Sequence, residues 1–283
     1  MNLFHRTFSY LAHLVYKITK VLRINNKNSL RVIMYHDIKK KDFQKFSDQI
    51  KLIKKDGWSF VDPKKLEHLR KKKIRGKNVI LTFDDGFYSN YLIAKKILKK
   101  HNIKAIFFIP YNFMMMKNKK NCLYFIKNRL KIKNYKLDQL KKINMNLHDT
   151  IDLSKKNHVV GFHTKSHVEL SKCKTDKKLY DEIAGPVNNK FKKIISFNKY
   201  FSFPFGKIND VSEKSFNIAK TNYKFIFLGI RGENKMNLKN SFIFRDNFTI
   251  DYDKKMILSI LNGYFDFFYF FKRRKLFKLY SKI

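Results

Sequence analysis

The stretch VILTFDDG, residues 79–86, decides the fold class predicted for this chain. Its first five residues form a largely apolar run, which is typical of a strand buried on both faces of a parallel sheet. Asp84 and Asp85 follow this run directly, and Gly86 ends it. Two adjacent carboxylates repel each other unless a cation or a proton lies close to them. The stretch therefore predicts a buried strand that carries two carboxylates to the edge of a sheet.

The rest of the chain alternates short apolar runs with helical patterns. Further strands are predicted at 31–36, 105–110, 159–162, 200–204 and 224–229, and helices at 43–56, 89–100 and 211–221. This order of elements predicts an α/β fold with a parallel sheet or a barrel. The segment 111–157 breaks the alternation because it is polar, rich in Lys and Asn and only partly helical. We interpret it as an insertion over one face.

A pair of histidines follows another predicted strand. His163 and His167 lie four residues apart in GFHTKSHVEL, directly after the run at 159–162. A helical turn, or a loop that curls away from the strand end, can aim both rings at one point. Two imidazoles and a carboxylate such as Asp85 leave open positions on a zinc-like ion, which is the pattern of a catalytic site. Active sites of α/β proteins form at such strand ends.

A third stretch, YFSFPFGKIND at 200–210, has the form of a strand that ends beside a ligand. The apolar run stops at Pro204, and Gly206 lets the backbone pass close to a bound molecule. Backbone N–H groups in such a turn could stabilise an oxyanion. Taken alone, the same residues also suit an ordinary strand-to-loop turn.

Together, TFDDG (82–86), HTKSH (163–167) and FPFG (203–206) resemble the motifs of the NodB-like polysaccharide deacetylases, carbohydrate esterases that act on N-acetylated glycans. Their order and separation also fit, over residues 31 to about 250. The resemblance implies an incomplete or distorted (β/α) barrel of the NodB-homology type that binds a divalent metal, usually Zn²⁺. The motif layout is most similar to that of members acting on poly-N-acetylglucosamine.

The resemblance also implies a role for each motif residue. Three residues would hold the metal: Asp85, His163 and His167. Asp84 would be the general base that takes a proton from the attacking water. The turn of Pro204, Phe205 and Gly206 would contact the substrate, with the Phe205 N–H stabilising the oxyanion. Thr164 would shape its loop through a backbone hydrogen bond.

The sequence departs from this family pattern in two places. The arginine that usually precedes the third-motif proline is missing from KYFSFP, and Arg245 in FIFRDNF is predicted to replace it beside Asp84. The late histidine that usually serves as general acid is also missing, because no histidine follows His167. His36, at the end of the strand predicted at 31–36, is our candidate for the acid, since imidazole can release a proton near neutral pH. The alternative is that His36 is a buried histidine whose ring nitrogens are hydrogen-bonded to backbone groups at the strand end.

The composition limits the classes of partner. The net charge of +41 suggests an anionic partner, but the lysines are spread along the whole chain, as A/T-biased codons would also produce. This distribution disfavours nucleic acid as the partner and favours loose attraction to an anionic membrane. The two cysteines form no CxxC motif, so neither a disulfide framework nor a thiolate metal site is predicted.

Both ends of the chain carry apolar residues among basic ones. We divide the chain into an amphipathic N-terminal helix (1–28), a deacetylase-like domain (29–252) and an aromatic, basic C-terminal helix (253–283). Each terminal helix could lie on a membrane surface or pack against the domain. The N-terminal run resembles neither a cleavable signal peptide nor a membrane span. The sequence assigns no compartment, although membrane association is one hypothesis.

Three functions from different classes are consistent with these features. The first is metal-dependent hydrolysis of N-acetyl groups from a polysaccharide or a lipid-linked saccharide. The alternative is a catalytically weak, deacetylase-like module that binds glycan at a membrane surface. The third is a nucleic-acid-binding protein, which would show a basic stripe away from the Asp and His residues.

Overall fold

The structure, a computed structural model, describes residues 28–71, 75–137, 140, 142–185, 191, 199–234 and 242–280. The predicted N-terminal helix at 1–28 lies outside these residues, apart from Asn28. Within the described ranges, none of the helices combines the length and the apolar character that a membrane span needs.

The described residues form one nine-stranded sheet in which the strands pair in parallel. The strands are β1 (Ser29–Tyr35), β2 (Trp58–Phe60), β3 (Lys77–Phe83), β4 (Ala105–Ile109), β5 (Val159–Phe162), β6 (Tyr200–Ser202), β7 (Phe225–Leu228), β8 (Phe242–Phe244) and β9 (Asp246–Asn247). Their order across the sheet is β8-β7-β6-β5-β4-β3-β1-β9, and β2 pairs with the first part of β3.

The two edges of this sheet nearly meet. β8 and β9 lie at opposite ends of the order, yet only Arg245 separates them in the chain. Asn234 joins the same edges, because its N–H donates to the Leu30 carbonyl of β1 (3.0 Å) and its side chain exchanges two 2.9 Å hydrogen bonds with Phe244 of β8. The sheet is thus nearly closed into a barrel, which confirms the predicted incomplete (β/α) barrel.

Helices pack against the outer face of the sheet. Their bounds are α1 (Phe43–Lys55), α2 (Leu66–Lys71), α3 (Tyr88–Ile93, continued by a π-helical turn at Ala94–Leu98 and by Lys99–His101), α4 (Tyr111–Met115), α5 (Lys119–Asn128), α6 (Leu147–Lys155), α7 (Asp176–Ile183), α8 (Glu213–Asn222), α9 (Lys254–Leu261) and α10 (Phe270–Tyr280). Short 3₁₀ turns lie at Lys40–Asp42, Pro63–Lys65, Leu170–Lys172, Ile208–Asp210 and Phe267–Tyr269.

Successive residues of each strand enter two different apolar clusters, as the alternation of side chains along a strand requires. Val32, Ile80 and Phe108 belong to a cluster built mostly of strand residues, which fills the barrel. Ile33 and Leu81 belong to the larger cluster between the sheet and the helices. The strands are therefore buried on both faces, as their apolar sequences predict.

The segment predicted as an insertion, 111–157, has two parts in the structure. Its last helix, α6, packs against β5 and is the crossover helix between β4 and β5. The preceding part, which includes α4 and α5, has its own apolar cluster around Phe113 and Phe125. Only this first part is an insertion into the fold, because α6 is the helix that connects β4 to β5, as each pair of parallel strands requires.

The C-terminal segment is held against the barrel by a buried ion cluster. Arg31 of β1 makes two hydrogen bonds to Asp246 (2.8 and 2.7 Å) and two to Asp266 (2.7 and 3.1 Å). Arg31 and Asp246 are each at most 1% exposed, so removing either would leave an unpaired buried charge. In α10, Leu276 is fully buried and Phe277 packs against aromatic rings of β8.

His158, just before β5, is buried as a neutral imidazole. The Ala105 N–H donates to its Nδ1 (3.2 Å), so that nitrogen carries no proton. Burial, together with the charges of Lys104 and Lys156, lowers the pKa of His158 to about 4. The unfolded chain should bind a proton here below about pH 6.5, whereas the folded chain does so only below about pH 4.

We expect the free energy of unfolding to decrease as the pH falls through this window, by roughly 3 kcal/mol from this group. The variant His158→Asn offers an amide oxygen to the Ala105 N–H but has no titratable group, and should therefore lose this part of the pH dependence. Urea denaturation of both proteins at about pH 7 and about pH 4.5 measures the difference. An equal loss of stability in both proteins on acidification would show that His158 does not cause it.

Candidate active site

The three sequence motifs meet at the carboxyl end of the barrel. Asp84 and Asp85 follow β3, His163 follows β5, and the turn at 203–206 follows β6. β3 pairs with β4, β4 with β5 and β5 with β6, so these strand ends are neighbours along one edge of the sheet. Parallel pairing alone therefore brings together residues that are far apart in the chain.

Asp85, His163 and His167 form a cluster that could hold a metal ion. One ligand atom from each lies within 4.8 Å of the other two, and all three residues are buried. The Asp85 Oδ1 atom lies 3.6 Å from His163 Nε2 and 3.3 Å from His167 Nε2. Burial raises the pKa of the Asp85 carboxyl, but hydrogen bonds from the two histidines and the charges of His167 and His36 outweigh it and hold that pKa well below the usual value.

The hydrogen bonds of the two rings show that this cluster suits a cation. His163 Nδ1 lies 2.7 Å from the Ser202 carbonyl, and His167 Nδ1 lies 3.1 Å from the Arg129 carbonyl. A carbonyl only accepts, so each Nδ1 carries a proton, and in a neutral ring each Nε2 points a lone pair at Asp85. Three such acceptors that face one another are stabilised by positive charge between them, supplied by a metal ion or by protons on the rings. Imidazole and carboxylate donors suit zinc and similar first-row metals, and backbone carbonyls often orient such ligands.

Asp84 is bound by Arg245, and its Oδ2 atom also lies 3.7 Å from His163 Nε2. Arg245 donates to both carboxylate oxygens (2.7 and 2.8 Å) and to the Ser202 hydroxyl (2.6 Å). Burial alone would raise the pKa of the Asp84 carboxyl. The charge and hydrogen bonds of Arg245, with the charges of His163 and His36, outweigh this effect and hold the pKa below its ordinary value. Asp84 is thus ionised and oriented, and its guanidinium partner is Arg245.

The backbone is strained at four residues of this site. Among the described non-glycine residues, positive φ values occur at Asp85 (73°), Thr164 (63°), His167 (52°) and Phe205 (59°), as well as at three positions elsewhere. A β-branched residue such as Thr164 is a clear outlier in this region. Such conformations cost about 1–3 kcal/mol each and concentrate at functional sites. Here they turn the side chains of the strand-end loops toward one another.

Thr164 and Glu182 hold the loop between the two histidines. The His167 N–H donates to Thr164 Oγ1 (3.0 Å), and the Thr164 carbonyl accepts from the Tyr111 N–H (3.2 Å). Glu182 of α7 is buried, and its carboxylate accepts from the Ser166 N–H (2.8 Å) and from the Ser166 hydroxyl. The loop that presents His167 is therefore fixed by contacts on both sides.

The turn after β6 has the form expected of an oxyanion site. Gly206 has φ 65°, and a Cβ there would lie 2.4 Å from the Gly229 nitrogen, so only glycine fits. The Gly229 N–H donates to the Gly206 carbonyl (2.9 Å), which fixes the turn. Phe205 is half-buried against the His167 ring, and its N–H donates no hydrogen bond to the part of the chain that the structure describes. Pro204, just before it, is buried.

His36 lies beside this cluster at the end of β1. It is half-buried and lines a groove of about 860 Å³ together with Lys39, Lys41, Ile132 and Tyr135. β1 pairs with β3 so that Tyr35 lies opposite Phe83, and His36 and Asp84 therefore follow neighbouring strand ends. The neighbouring Asp37 is engaged elsewhere, by the Ser89 hydroxyl (2.6 Å) and by the ammonium of Lys39.

Some contacts of the site were not predicted from the sequence. The carbonyl of Arg129, at the end of α5, orients His167, and Ser202 contacts both His163 and the Arg245–Asp84 pair. Glu182 was also missed. Ser202 could have been noticed because it lies in the third motif stretch, residues 200–210. The contact of Arg129 could not, because every residue has a backbone carbonyl.

Comparison with known proteins gives a consistent picture. The family model for Polysaccharide deacetylase matches residues 71–225. YxkH of Bacillus subtilis (strain 168), which bears the name of a polysaccharide deacetylase, is 32% identical over 87 residues, 28% of this chain and 31% of YxkH. The match thus spans less than a third of that curated relative.

Two solved structures share the fold over most of the chain. Streptococcus pyogenes deacetylase PplD, in complex with acetate, is 18% identical with a TM-score of 0.62 and covers 82% of this chain and 98% of its own. IcaB from Ammonifex degensii is 19% identical with a TM-score of 0.61 and covers 83% of this chain and 97% of its own. At such identities the likeness shows the fold alone.

Proposed function

The chain belongs to the polysaccharide deacetylase family, whose model spans more than half of it, and we propose that it hydrolyses N-acetyl groups of a glycan with the help of a divalent metal. The reaction class is hydrolysis of a carbon–nitrogen bond other than a peptide bond. The observation that carries the proposal is the pairing of two differently held carboxylates: Asp85 faces two imidazole lone pairs, while Asp84 is bound by Arg245.

The metal ligands in this proposal are Asp85, His163 and His167. A bound divalent cation, of which Zn²⁺ fits the donor set best, would activate water and polarise the amide carbonyl. The carbonyls of Ser202 and Arg129 keep both Nε2 atoms available as ligands, because each holds the proton of its histidine on Nδ1. The four residues with positive φ keep that conformation only because the surrounding structure holds them, which supports a site arranged before any ligand binds.

Asp84 is the general base in this proposal. Its pKa lies below the ordinary value, so it is ionised at neutral pH and can accept the proton of the attacking water. Arg245 occupies one lone pair on each carboxylate oxygen, which fixes the direction of those that remain. The Phe205 N–H supports the oxyanion of the attacked carbonyl, since it is a donor with no other described partner.

The departing amine needs a proton, and His36 is our proposed donor. It lines the groove and follows the strand end next to that of Asp84, and Asp37 is engaged by other partners. The groove beside it offers apolar side chains, Ile132 and Leu137, together with the Asn134 amide and lysine ammonium groups. Such a mixed surface suits a glycan, which presents both ring faces and hydroxyls. We therefore propose this groove as the binding site for an N-acetylated glycan.

Acetate release from N-acetylated oligosaccharides tests the proposal. Removal of bound metal with a chelator is expected to lower the rate at least about 100-fold, and added Zn²⁺ should restore it. Metal content is measured on the same samples, and Asp85→Asn provides the matched control because it removes a ligand without changing side-chain size. Full activity in protein shown to be free of metal would contradict the proposal.

A second candidate function is a catalytically weak module that binds glycan. The observation that favours it is the absence of any histidine after His167, where the family usually has its general acid. This module would bind oligosaccharides in the same groove and release acetate slowly or not at all. The two functions differ in the role of His36.

A further inference from the structure

Four phenylalanines near the C-terminus are exposed to a degree unusual for such side chains. Phe267 is 78% exposed, Phe271 is 73% exposed, Phe268 is 49% exposed and Phe270 is 48% exposed, and we call these four the aromatic patch. They lie in the 3₁₀ turn Phe267–Tyr269 and in the first turn of α10. A cluster of exposed rings at one place usually marks an interaction surface, because each ring favours removal from water.

Basic side chains continue this surface along α10. Its exposed residues after the patch are all cationic: Lys272, Arg274, Lys275 and Lys278. The sequence of the helix, FFKRRKLFKLY, contains no acidic residue. The buried Leu276 defines the opposite, inward face, so the charges project outward as the rings do. Rings at one end and long cationic side chains beyond them form an interfacial rather than a spanning pattern.

The patch is fixed to the barrel and does not result from a frayed end. Asp266, directly before it, is bound by Arg31 and accepts from the Glu233 N–H (3.1 Å). Arg273 donates to the Arg231 carbonyl (2.8 Å), and Phe277 packs on Phe242 at 5.2 Å between ring centroids. The rings are thus exposed although the backbone beneath them is held.

We propose that the aromatic patch and the basic residues of α10 dock the protein on the surface of an anionic lipid bilayer. The rings would enter the interface between headgroups and acyl chains, and the ammonium and guanidinium groups would contact lipid phosphates. The complementarity of charge identifies the occupant, since α10 and the chain as a whole are strongly positive. α10 has 11 residues, too few to cross a bilayer, so the contact is peripheral.

Vesicle co-sedimentation of the full chain tests this inference. Wild-type protein should bind vesicles that contain phosphatidylglycerol and bind pure phosphatidylcholine vesicles much less. Combined substitution Phe267→Ser, Phe270→Ser and Phe271→Ser is expected to lower the partition coefficient at least about tenfold. A matched control, Tyr124→Ser with Tyr180→Ser, removes rings that are 66% and 51% exposed elsewhere and should bind as wild type does.

A second pair of variants separates this surface from general positive charge. Lys272→Gln with Arg274→Gln and Lys275→Gln should weaken binding clearly more than Lys96→Gln with Lys99→Gln and Lys100→Gln, which removes three exposed lysines of α3. Equal losses in both, or wild-type binding by the phenylalanine variant, would overturn the proposal. A dimer of the wild-type protein in the absence of lipid, converted to monomer by the phenylalanine substitutions, would also overturn the proposal, because a second copy would then cover the patch.

Acetate release provides the folding control for these variants. None of the substituted residues belongs to the candidate site, so a folded variant should retain the rate of wild type on a soluble oligosaccharide. Membrane docking and the proposed hydrolysis can therefore fail independently of each other.

Discussion

Replacing Asp84 by Asn is expected to reduce the rate of acetate release by roughly 10²–10⁴-fold, the range for a lost general base, without loss of bound metal. Asp84 is bound by Arg245 and has one histidine neighbour, His163 at 3.7 Å, whereas Asp85 faces both histidines. The neutral amide cannot accept the proton of water, yet all three proposed ligands remain. The measurements are acetate release and metal content on the same preparation.

The variant also removes the partner of a buried cation. Arg245 is 1% exposed, and an unpaired buried charge typically costs about 3–5 kcal/mol of stability. Activity must therefore be compared at a temperature where thermal unfolding shows Asp84→Asn to be folded. Asp85→Asn is the matched control, since it should lose metal and activity together. If Asp84→Asn lost its metal while folded, the roles of the two aspartates would be reversed.

Much of this site could be predicted because parallel sheets place strand ends together. The apolar runs before Asp84 and before His163 each predicted a strand, and both strands are present. Once the sheet is known to be parallel, residues that directly follow its strands must share one edge. The meeting of the aspartates and histidines is thus a consequence of pattern and topology, and no knowledge of tertiary contacts was needed.

Arg245 shows where this reasoning reaches its limit. Sequence suggested it only because an expected arginine was missing, and nothing local connects it with Asp84, 161 positions away. The connection depends on barrel closure, which places Arg245 between the strands at the two edges of the sheet. Closure is a property of the whole sheet, and a pattern within one strand cannot reveal it.

The contacts that orient the metal ligands were missed for a different reason. The carbonyls of Ser202 and Arg129 act through the backbone, which every residue possesses, so residue type carries no information about them. The positive φ value of Thr164 also contradicts the preference of a β-branched residue. Functional sites are where local preference is most often overruled, and there sequence reasoning is expected to fail.

Replacing His36 by Gln should slow hydrolysis of an N-acetyl amide by roughly 10²–10⁴-fold, while an aryl acetate ester should lose less than about tenfold. An amine leaves only when protonated, whereas an aryloxide leaves with little help. Gln retains the polarity of imidazole but cannot supply a proton. Bound metal and the thermal midpoint should stay at wild-type values, because His36 is half-buried and outside the predicted ligand set.

The kinetic constants on the glycan separate an acid from a positioning residue. A histidine that only shaped the groove would raise the KM for the glycan and leave kcat nearly unchanged, whereas loss of the acid lowers kcat. His68→Gln is the matched control, since it changes an exposed histidine of α2 and should leave the rates on both substrates unaltered. If His36→Gln slowed both substrates equally, or neither, His36 would not be the acid. The glycan-binding module without efficient catalysis would then be the better account, because the chain has no histidine after His167 to take that role.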